Sequence, residues 1–339
     1  MENNRYITKE CEGIGNCLTG DLVAEARNRL ATVAHRTPIM RSATTDALVG
    51  KHVYFKMENQ QKTGSFKFRG ASFKLMQLSD EQLQKGVLAA SAGNHAQGVA
   101  NAAAKLNARA TIFMPEKTPM AKVNATRAYG AEVVLTGESF QEAYDASMKR
   151  QMQTGAEYIH PFDDYDIMAG QGTIAMEMLQ QEDRLDTILV PVGGGGLISG
   201  IAAAVKHVNP RIKVIGVQSA GASAMYQSYY NNRTKRLDRV STIADGIAVK
   251  QPGERTLPVI NQYVDDIVTV TDEEIASAIV YMLERNKTLL EGAGAAALAA
   301  LFSQDIGSKH CGTIVSGGNM DISTLPMIQQ LANKLHQSA

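Results

Sequence analysis

Asp186-Thr187-Ile188-Leu189-Val190-Pro191-Val192 runs without a break into Gly193-Gly194-Gly195-Gly196-Leu197. The apolar run up to Val192 reads as a buried strand, and Leu197 to Val208 beyond the glycines reads as a helix. A strand that ends in glycines and restarts as a helix suits a doubly wound α/β fold, where ligands gather at the carboxyl ends of strands. With no side chains in the way, the backbone N–H groups of Gly193, Gly194, Gly195 and Gly196 can point at one anion. The positive end of the following helix adds to them, by up to ~2 kcal/mol in a partly buried geometry. A phosphate is the natural guest; a tight turn without a ligand is the lesser alternative.

Outward from this turn the chain keeps one rhythm. A helix carries the stripe Leu22, Val23, Ala26, Leu30 and Val33, and His52 to Lys56 alternates as a strand. Ser65 to Ala71 opens a helix with Phe73 and Met76 on its inner side. Strands are expected at Val87 to Ala90, Ala110 to Met114, Glu132 to Leu135 and Glu157 to Ile159. Helices are expected from Ser91-Gly98 through Leu106 and from Ser139 to Gln153. In the second half, helices at Ile167 to Gln181, Leu197 to Val208 and Ala293 to Phe302 alternate with strands at Lys213 to Val217, Val264 to Val270 and Thr313 to Val315. Asp272 is expected to cap a helix to Asn286, and a last helix closes the chain. Tyr229 to Glu254 reads as irregular, and residues 1–18 as a flexible extension. Strands alternating with helices imply parallel sheets covered on both faces.

Composition narrows the partners. Thirty-four basic residues balance 34 acidic ones among 339, which argues against a chain built to bind nucleic acid or an acidic membrane surface. The start, Met1 to Arg5, is followed by no apolar run, and no uncharged stretch reaches the ~18–20 residues of a membrane span. A cytoplasmic protein is expected. Cys11, Cys17 and Cys311 cannot all pair with one another, and Cys11 and Cys17 lack C-x-x-C spacing. All three read as reduced thiols.

The phosphate is not part of a dinucleotide or a P-loop nucleotide. After Gly194 and Gly196 the fingerprint needs a glycine or alanine where Ser199 stands, and Gln218 stands where an acid for the ribose is expected. Gly93 to Gly98 has P-loop spacing, but Val99 follows in place of lysine. A small phosphorylated cofactor remains, and Lys67 in Ser65-Phe66-Lys67-Phe68-Arg69-Gly70-Ala71 says which. Aromatic neighbours Phe66 and Phe68 strip water from its ammonium and lower its pKa from about 10.4. A lysine that sheds its proton near neutrality can hold a carbonyl as a Schiff base, which points to pyridoxal 5'-phosphate. By itself the stretch equally fits a partly exposed lysine that opens a helix. Ser91-Ala92-Gly93-Asn94-His95 suits a second anion, a substrate carboxylate, at another helix start, with Asn94 also able to donate to a phenolate oxygen. His95 read alone is as well a helix-cap histidine. Ser316, at a strand end, is either a partner for a ring nitrogen or a plain capping serine.

Taken in order, S-F-K-F-R-G-A, S-A-G-N-H-A-Q-G, A-G-Q-G-T (Ala169 to Thr173), V-G-G-G-G-L, I-A-D-G (Ile243 to Gly246), E-G-A-G-A (Glu291 to Ala295) and S-G-G-N resemble the fold-type II pyridoxal-phosphate enzymes. Within these the chain resembles the threonine/serine dehydratase and serine racemase family, from about Leu22 to its end. The resemblance implies a tryptophan synthase beta-like α/β fold of two doubly wound domains with mostly parallel, twisted sheets. Residues 19–78 with 161–339 would form the large, cofactor-binding domain and 79–160 the small one, with no regulatory domain appended. It also implies roles. Lys67 binds the cofactor as a Schiff base and later removes the substrate α-proton. Phe66 packs by the ring, Asn94 bonds the phenolate oxygen, and Gly193 to Gly196 with Leu197 hold the phosphate. Ser316 faces the pyridine nitrogen, where a neutral group leaves the ring a milder electron sink suited to β-elimination. Gly246 and Glu291 belong to the cofactor site. Ser91, Ala92, Gly93, Asn94 and His95 form the carboxylate clamp.

Two departures separate family members. Racemases of this family carry a serine immediately before G-N-H, where this chain has Ala92, which moves no proton. Their divalent-metal acids correspond to Gln218, Ala222 and Ala224, which offer a hard cation no carboxylate. No metal is therefore expected. The pattern is that of a threonine dehydratase of the shorter, catabolic type, converting L-threonine to 2-oxobutanoate and ammonia and also taking L-serine. Serine racemisation, another 3-hydroxy amino acid, and a non-catalytic cofactor-binding regulator are the alternatives. A homo-oligomer, dimer or tetramer, is usual for the family. Nucleotide activation occurs among catabolic relatives, and no motif here establishes it.

Overall fold

The computed structural model describes residues 17–337. Ten strands form two sheets. The strands are β1 (Ile39–Met40), β2 (His52–Met57), β3 (Val87–Ala90), β4 (Ala110–Met114), β5 (Glu132–Leu135), β6 (Glu157–Tyr158), β7 (Thr187–Pro191), β8 (Lys213–Ser219), β9 (Asp266–Val270) and β10 (His310–Val315). A six-stranded sheet runs β1-β2-β10-β7-β8-β9, parallel except where β1 meets β2. A four-stranded, fully parallel sheet runs β5-β4-β3-β6. The chain is thus an α/β architecture with two mostly parallel sheets, as its strand–helix alternation implies.

Side-chain alternation explains why both faces of the large sheet are covered. Tyr54, Ile188, Val190 and Val214 point to one side, where the helices Gly20–Leu30, Tyr165–Gln181, Gly196–Val208 and Thr256–Tyr263 pack. Phe55, Leu189, Ile215 and Val217 point to the other, under the helices Asp272–Asn286, Gly292–Ser303 and Leu325–Gln337. The small sheet divides the same way: Val87, Ala89 and Ile112 face one core, Leu88, Ala90 and Phe113 another. One helix belongs to both bodies. Lys67–Met76 sends Phe73 into the large core and Ala71 and Leu75 into the small one.

Several local expectations need correction. The helix Asp272–Asn286 is capped by Thr271, not Asp272. The Thr271 hydroxyl accepts from Glu274 N–H while the Glu274 carboxylate accepts from Thr271 N–H, a reciprocal box that an acid one residue later cannot make. Strand β1 and the helices Ala43–Val49, Asp80–Lys85, Met120–Ala128, Ala224–Tyr230 and Thr256–Tyr263 go beyond the elements expected. All are shorter than the ~11-residue window over which apolar periodicity is read. The irregular reading holds from Asn231 to Ala244, after which only a short 3-10 turn intervenes before Thr256. Cys311 is a buried free thiol, but Cys17 is disulfide-bonded rather than reduced; spacing excludes a C-x-x-C site, not a disulfide. The flexible extension expected over residues 1–18 lies almost wholly outside the described residues. Among the described residues no helix is long and apolar enough to cross a membrane.

Candidate active site

Lys67 is the first residue of its helix, at the junction of the two bodies. Its Nζ donates to the Pro161 carbonyl at 2.7 Å and lies 5.3 Å from the centre of the Phe66 ring. The residue keeps some accessible surface, but protein surrounds the amine closely. Burial drives its pKa down to about 8, with Glu291 opposing weakly. A neutral carbonyl offers the ammonium no counter-charge, so desolvation wins.

Two histidines flank this amine without adding charge. His95 is 3 % exposed, its Nε2–H donating to Ile159 O at 2.8 Å. Burial, helped by Lys67, pushes its pKa down to about 3. His160 accepts at Nδ1 from the N–H groups of Phe162 (3.2 Å) and Asp163 (2.7 Å), and burial pushes it down to about 4. Both rings are neutral at neutral pH. The His95 ring is engaged in the core, so the backbone N–H at the start of the helix Asn94–Lys105 is what remains for a carboxylate. Ser91 Oγ accepts from Gly93 N–H at 3.2 Å, closing the turn that leads into that helix. Ser91, Ala92, Gly93 and Asn94 are all partly exposed, as a substrate-facing loop requires.

The four-glycine turn follows β7. Gly195 has φ +102, a left-handed conformation that favours glycine. A Cβ on Gly194 would lie 2.5 Å from ring atoms of Phe162, and one on Gly196 would lie 2.7 Å from Phe162 O. The turn's carbonyls are spoken for. Gly193 O accepts from Gln218 Nε2 (3.5 Å), Gly194 O from Thr256 Oγ (2.7 Å) and Gly195 O from Ser199 N–H (3.0 Å). No backbone-to-backbone bond of the described loops uses the N–H of Gly193, Gly194 or Gly195 as donor. Asp163 accepts from the N–H groups of Glu254, Arg255 and Thr256, which seats Thr256 under the turn.

The end of β10 completes the site. Ser65 bridges Gly317, and Phe66 N–H donates to Ser316 O at 3.1 Å, so this strand end and the Lys67 entry are sewn together. Ser316 is 2 % exposed and its hydroxyl donates to Ala293 O at 3.2 Å; it must turn from that carbonyl to meet a ring nitrogen. Asn94 donates to Glu291 Oε1 at 2.6 Å and accepts from Asn319 Nδ2 at 2.8 Å. Burial lifts the Glu291 carboxyl to about 7 against the pull of Asn94. A Cβ on Gly246 would touch that of Ala293 at 2.9 Å and stand 3.7 Å from Glu291 Oε1. A single ion pair crosses between residues 79–160 and the rest of the described chain, Lys122 Nζ to Asp245 Oδ2 at 3.2 Å.

Lys67, Asn94, Gly246, Glu291 and Ser316 are linked through these contacts, and Phe162 joins the glycine turn to Pro161. Sequence reading missed the segment Ile159 to Asp163, which supplies the carbonyls for Lys67 and His95 and the ring that packs on Gly194. The only available signal was a Pro161 directly after a strand. Ala169 to Thr173 is no part of the cleft. It is a packing surface where Gly170 approaches Gly70 and Gly172 approaches Gly200, with Gln171 Oε1 accepting from Gly70 N–H at 3.1 Å.

A desolvated amine, a turn whose N–H groups make no backbone bond, a partly exposed Asn94 and a buried Ser316 fit pyridoxal phosphate. Comparison with known proteins agrees. The model of a family described as pyridoxal-phosphate dependent enzyme matches residues 30–317. An L-threonine ammonia-lyase of Thermotoga maritima is 46% identical over 94% of this chain and 79% of its own. Among solved structures, the processed form of threonine deaminase isoform 2 from Solanum lycopersicum superposes with TM-score 0.88 at 38% identity, covering 94% of this chain and 91% of that one. Maize serine racemase superposes with TM-score 0.89 at 39% identity, covering 95% and 100%. The chain belongs to the pyridoxal-phosphate dependent enzyme family.

Proposed function

We propose that the protein is an L-threonine ammonia-lyase, turning L-threonine into 2-oxobutanoate and ammonia by α,β-elimination of water, and that L-serine yields pyruvate on the same site. The observation that carries this reading is the Lys67 amine, desolvated and bonded to a neutral carbonyl, with a pKa of about 8 that Glu291 raises too weakly to restore and two neutral histidines near it. When bound, pyridoxal phosphate supplies a carbonyl for an amine and an electron sink for the carbanion at Cα.

The chain's own residues do the rest. Lys67 alternates between neutral and charged near neutral pH, so it can take the proton from the substrate Cα and give one back. His95 and His160 stay uncharged and compete for no proton. The free N–H edge of Gly193 to Gly196 and the helix start at Leu197 hold the phosphate. Ser91 to Asn94, with the backbone N–H of His95, hold the substrate carboxylate at the start of a second helix. Asn94 and Glu291 sit as a hydrogen-bonded pair where a phenolate oxygen is expected, and Phe66 and Ser316 border the ring. Gln218, at the place of a metal-binding acid in racemases, fastens Tyr226 N–H and Gly193 O instead.

Threonine and serine differ by one methyl, worth only ~1–3 kcal/mol in an apolar pocket. Both substrates therefore belong to the proposal. It also includes a cytoplasmic homo-oligomer, dimer or tetramer, with room for a nucleotide activator. The residue ranges 79–160 and 19–78 with 161–339 are its small and large domains, a division the two sheets support. The test is direct. Absorbance of the cofactor-loaded protein is recorded, L-threonine is added, and 2-oxo acid is assayed; L-serine follows. Release of 2-oxobutanoate is expected. A loaded protein that yields no oxo acid from either substrate overturns the reading, and loss of L-serine chirality without matching pyruvate replaces it with racemisation.

A further inference from the structure

Two residues beyond Lys67, about 200° around the helix, Arg69 points the opposite way into a largely buried knot of charge, in which Glu177, alone of the charged side chains, keeps some exposure, at 13%. Its guanidinium grips Glu58 through Nε (2.8 Å) and Nη2 (2.8 Å), and Glu177 through Nη1 (2.7 Å) and Nη2 (3.0 Å). Thr173 Oγ takes the second Nη1–H at 3.2 Å, and His35 O shares Nη2 with the two carboxylates at 3.1 Å. Lys56 Nζ spends its three donors on Glu177 (2.6 Å), Thr37 O (2.8 Å) and Gln181 (3.0 Å). Arg69, Glu58 and Lys56 are 0 % exposed. Two cations meet two carboxylates and every donor is used, which is the condition for a buried network to specify one geometry.

The helix that carries Lys67 needs such a device. It has only 10 residues and no side-chain cap from Phe66; Gln171 takes the Gly70 N–H, and a helix this short depends on tertiary contacts to hold it. Arg69 lies in its first turn. Through it the turn is tied to the segment His35–Thr37, to the end of β2 and Glu58, and to the helix Tyr165–Gln181.

We propose that Arg69 is the positioning residue for Lys67: its double fork with Glu58 and Glu177 anchors the first helical turn to the core and fixes the reach of the Lys67 amine into the cleft. The knot touches neither substrate nor cofactor. Its effect falls on steps that need the amine in place, not on carboxylate binding at Ser91 to Asn94. The kinetic half of the test rests on the proposed ammonia-lyase activity; the other half does not.

The variant is Glu177→Gln, which keeps the shape and weakens one fork. Apo-protein is mixed with pyridoxal phosphate and the rise of its bound absorbance band is timed, then kcat and KM for L-threonine are measured. Capture is expected to slow about tenfold and kcat to fall by up to ~10²-fold, as for a misplaced catalytic group, with KM nearly unchanged. Thr173→Val, which removes a single contact of the guanidinium, moves both readouts the same way by less, and carries the test if Glu177→Gln does not fold. Capture and kcat equal to the parent protein's, with only a lower Tm, overturn the proposal. Normal capture by the parent with no oxo acid released would sink the activity instead, and capture by the variants would still judge Arg69.

Discussion

Lys67 and Arg69 stand two residues apart on one short helix, both cationic in water and both closely surrounded by protein, yet the structure treats them oppositely. On the cleft side the amine meets one carbonyl and two neutral rings, and burial pulls its pKa down to about 8. On the core side burial works against the guanidinium too, but Glu58 and Glu177 outweigh it and hold the charge more firmly than in water. Burial likewise works to raise Glu58, and Arg69 and Lys56 outweigh it, keeping that carboxylate ionised. Burial alone does not decide ionisation; the counter-charge admitted with it does. One face of the helix keeps a charge to hold the helix still, and the other lets a charge go so that chemistry can use the amine.

The sharpest break in this contrast is Lys67→Ala. It should leave the fold intact and lower turnover of L-threonine by at least the ~10²–10⁴-fold that a positioned acid–base group contributes, because no other amine reaches Pro161. Substantial residual elimination in that variant would remove Lys67 from its role. The next largest effect is with pH. A neutral amine is needed to capture pyridoxal phosphate, and Lys67 is neutral above its pKa. The capture rate of apo-protein should therefore rise through about pH 8, well below the ~10.4 of an exposed lysine. A midpoint near 10 would show that the amine is solvated after all.

On the core side, Glu58→Gln leaves Arg69 and Lys56 facing one carboxylate. A buried charge stripped of its partner costs ~3–5 kcal/mol, readable as a lower denaturant midpoint at unchanged slope. A loss below about 1 kcal/mol, the range of exposed pairs, would mean that the knot is wet. Lys122→Met gives the smallest effect. The pair with Asp245 is surface-exposed, Asp245 at 75%, so stability should change by less than ~1 kcal/mol. Among the described residues it is the only ion pair joining the two bodies, and its loss should show in KM for L-threonine more than in Tm. A KM unchanged in this variant would show that the pair does not govern entry to the cleft.

Acid sensitivity separates the two faces once more. His95 is neutral in the fold, with its pKa at about 3 against 6.5 for the free group. Between those values the unfolded chain binds the extra proton. Its contribution to stability is complete above pH 6.5 and is lost as pH falls toward 3, and His160 adds to it down to about 4.

Much of this was legible before folding. Apolar or alternating runs marked nine of the ten described strands, and β1, at two residues, is too short to leave a pattern. Lys67, Asn94, the four glycines and Ser316 stood out because each needs a residue type that local structure alone does not call for. The A-G-Q-G-T stretch carries the resemblance as well, but its glycines serve close helix packing against Gly70 and Gly200. Glycine answers both demands, and sequence does not say which.

Segment chemistry within a few residues was enough to mark nine of the ten described strands and to single out the glycine turns and Lys67 as candidates. Distances between segments were settled by folding alone. Pro161 O meets Lys67 across 94 positions, Glu291 meets Asn94 across 197, and Arg69 meets Glu177 across 108. A pKa of about 8 for Lys67 and an ionised Arg69 beside it follow from which groups were sealed in together, and that depends on how the two sheets close on the helix between them. Residue identity sets what a group can do; only packing sets the dielectric and the partners that decide whether it does.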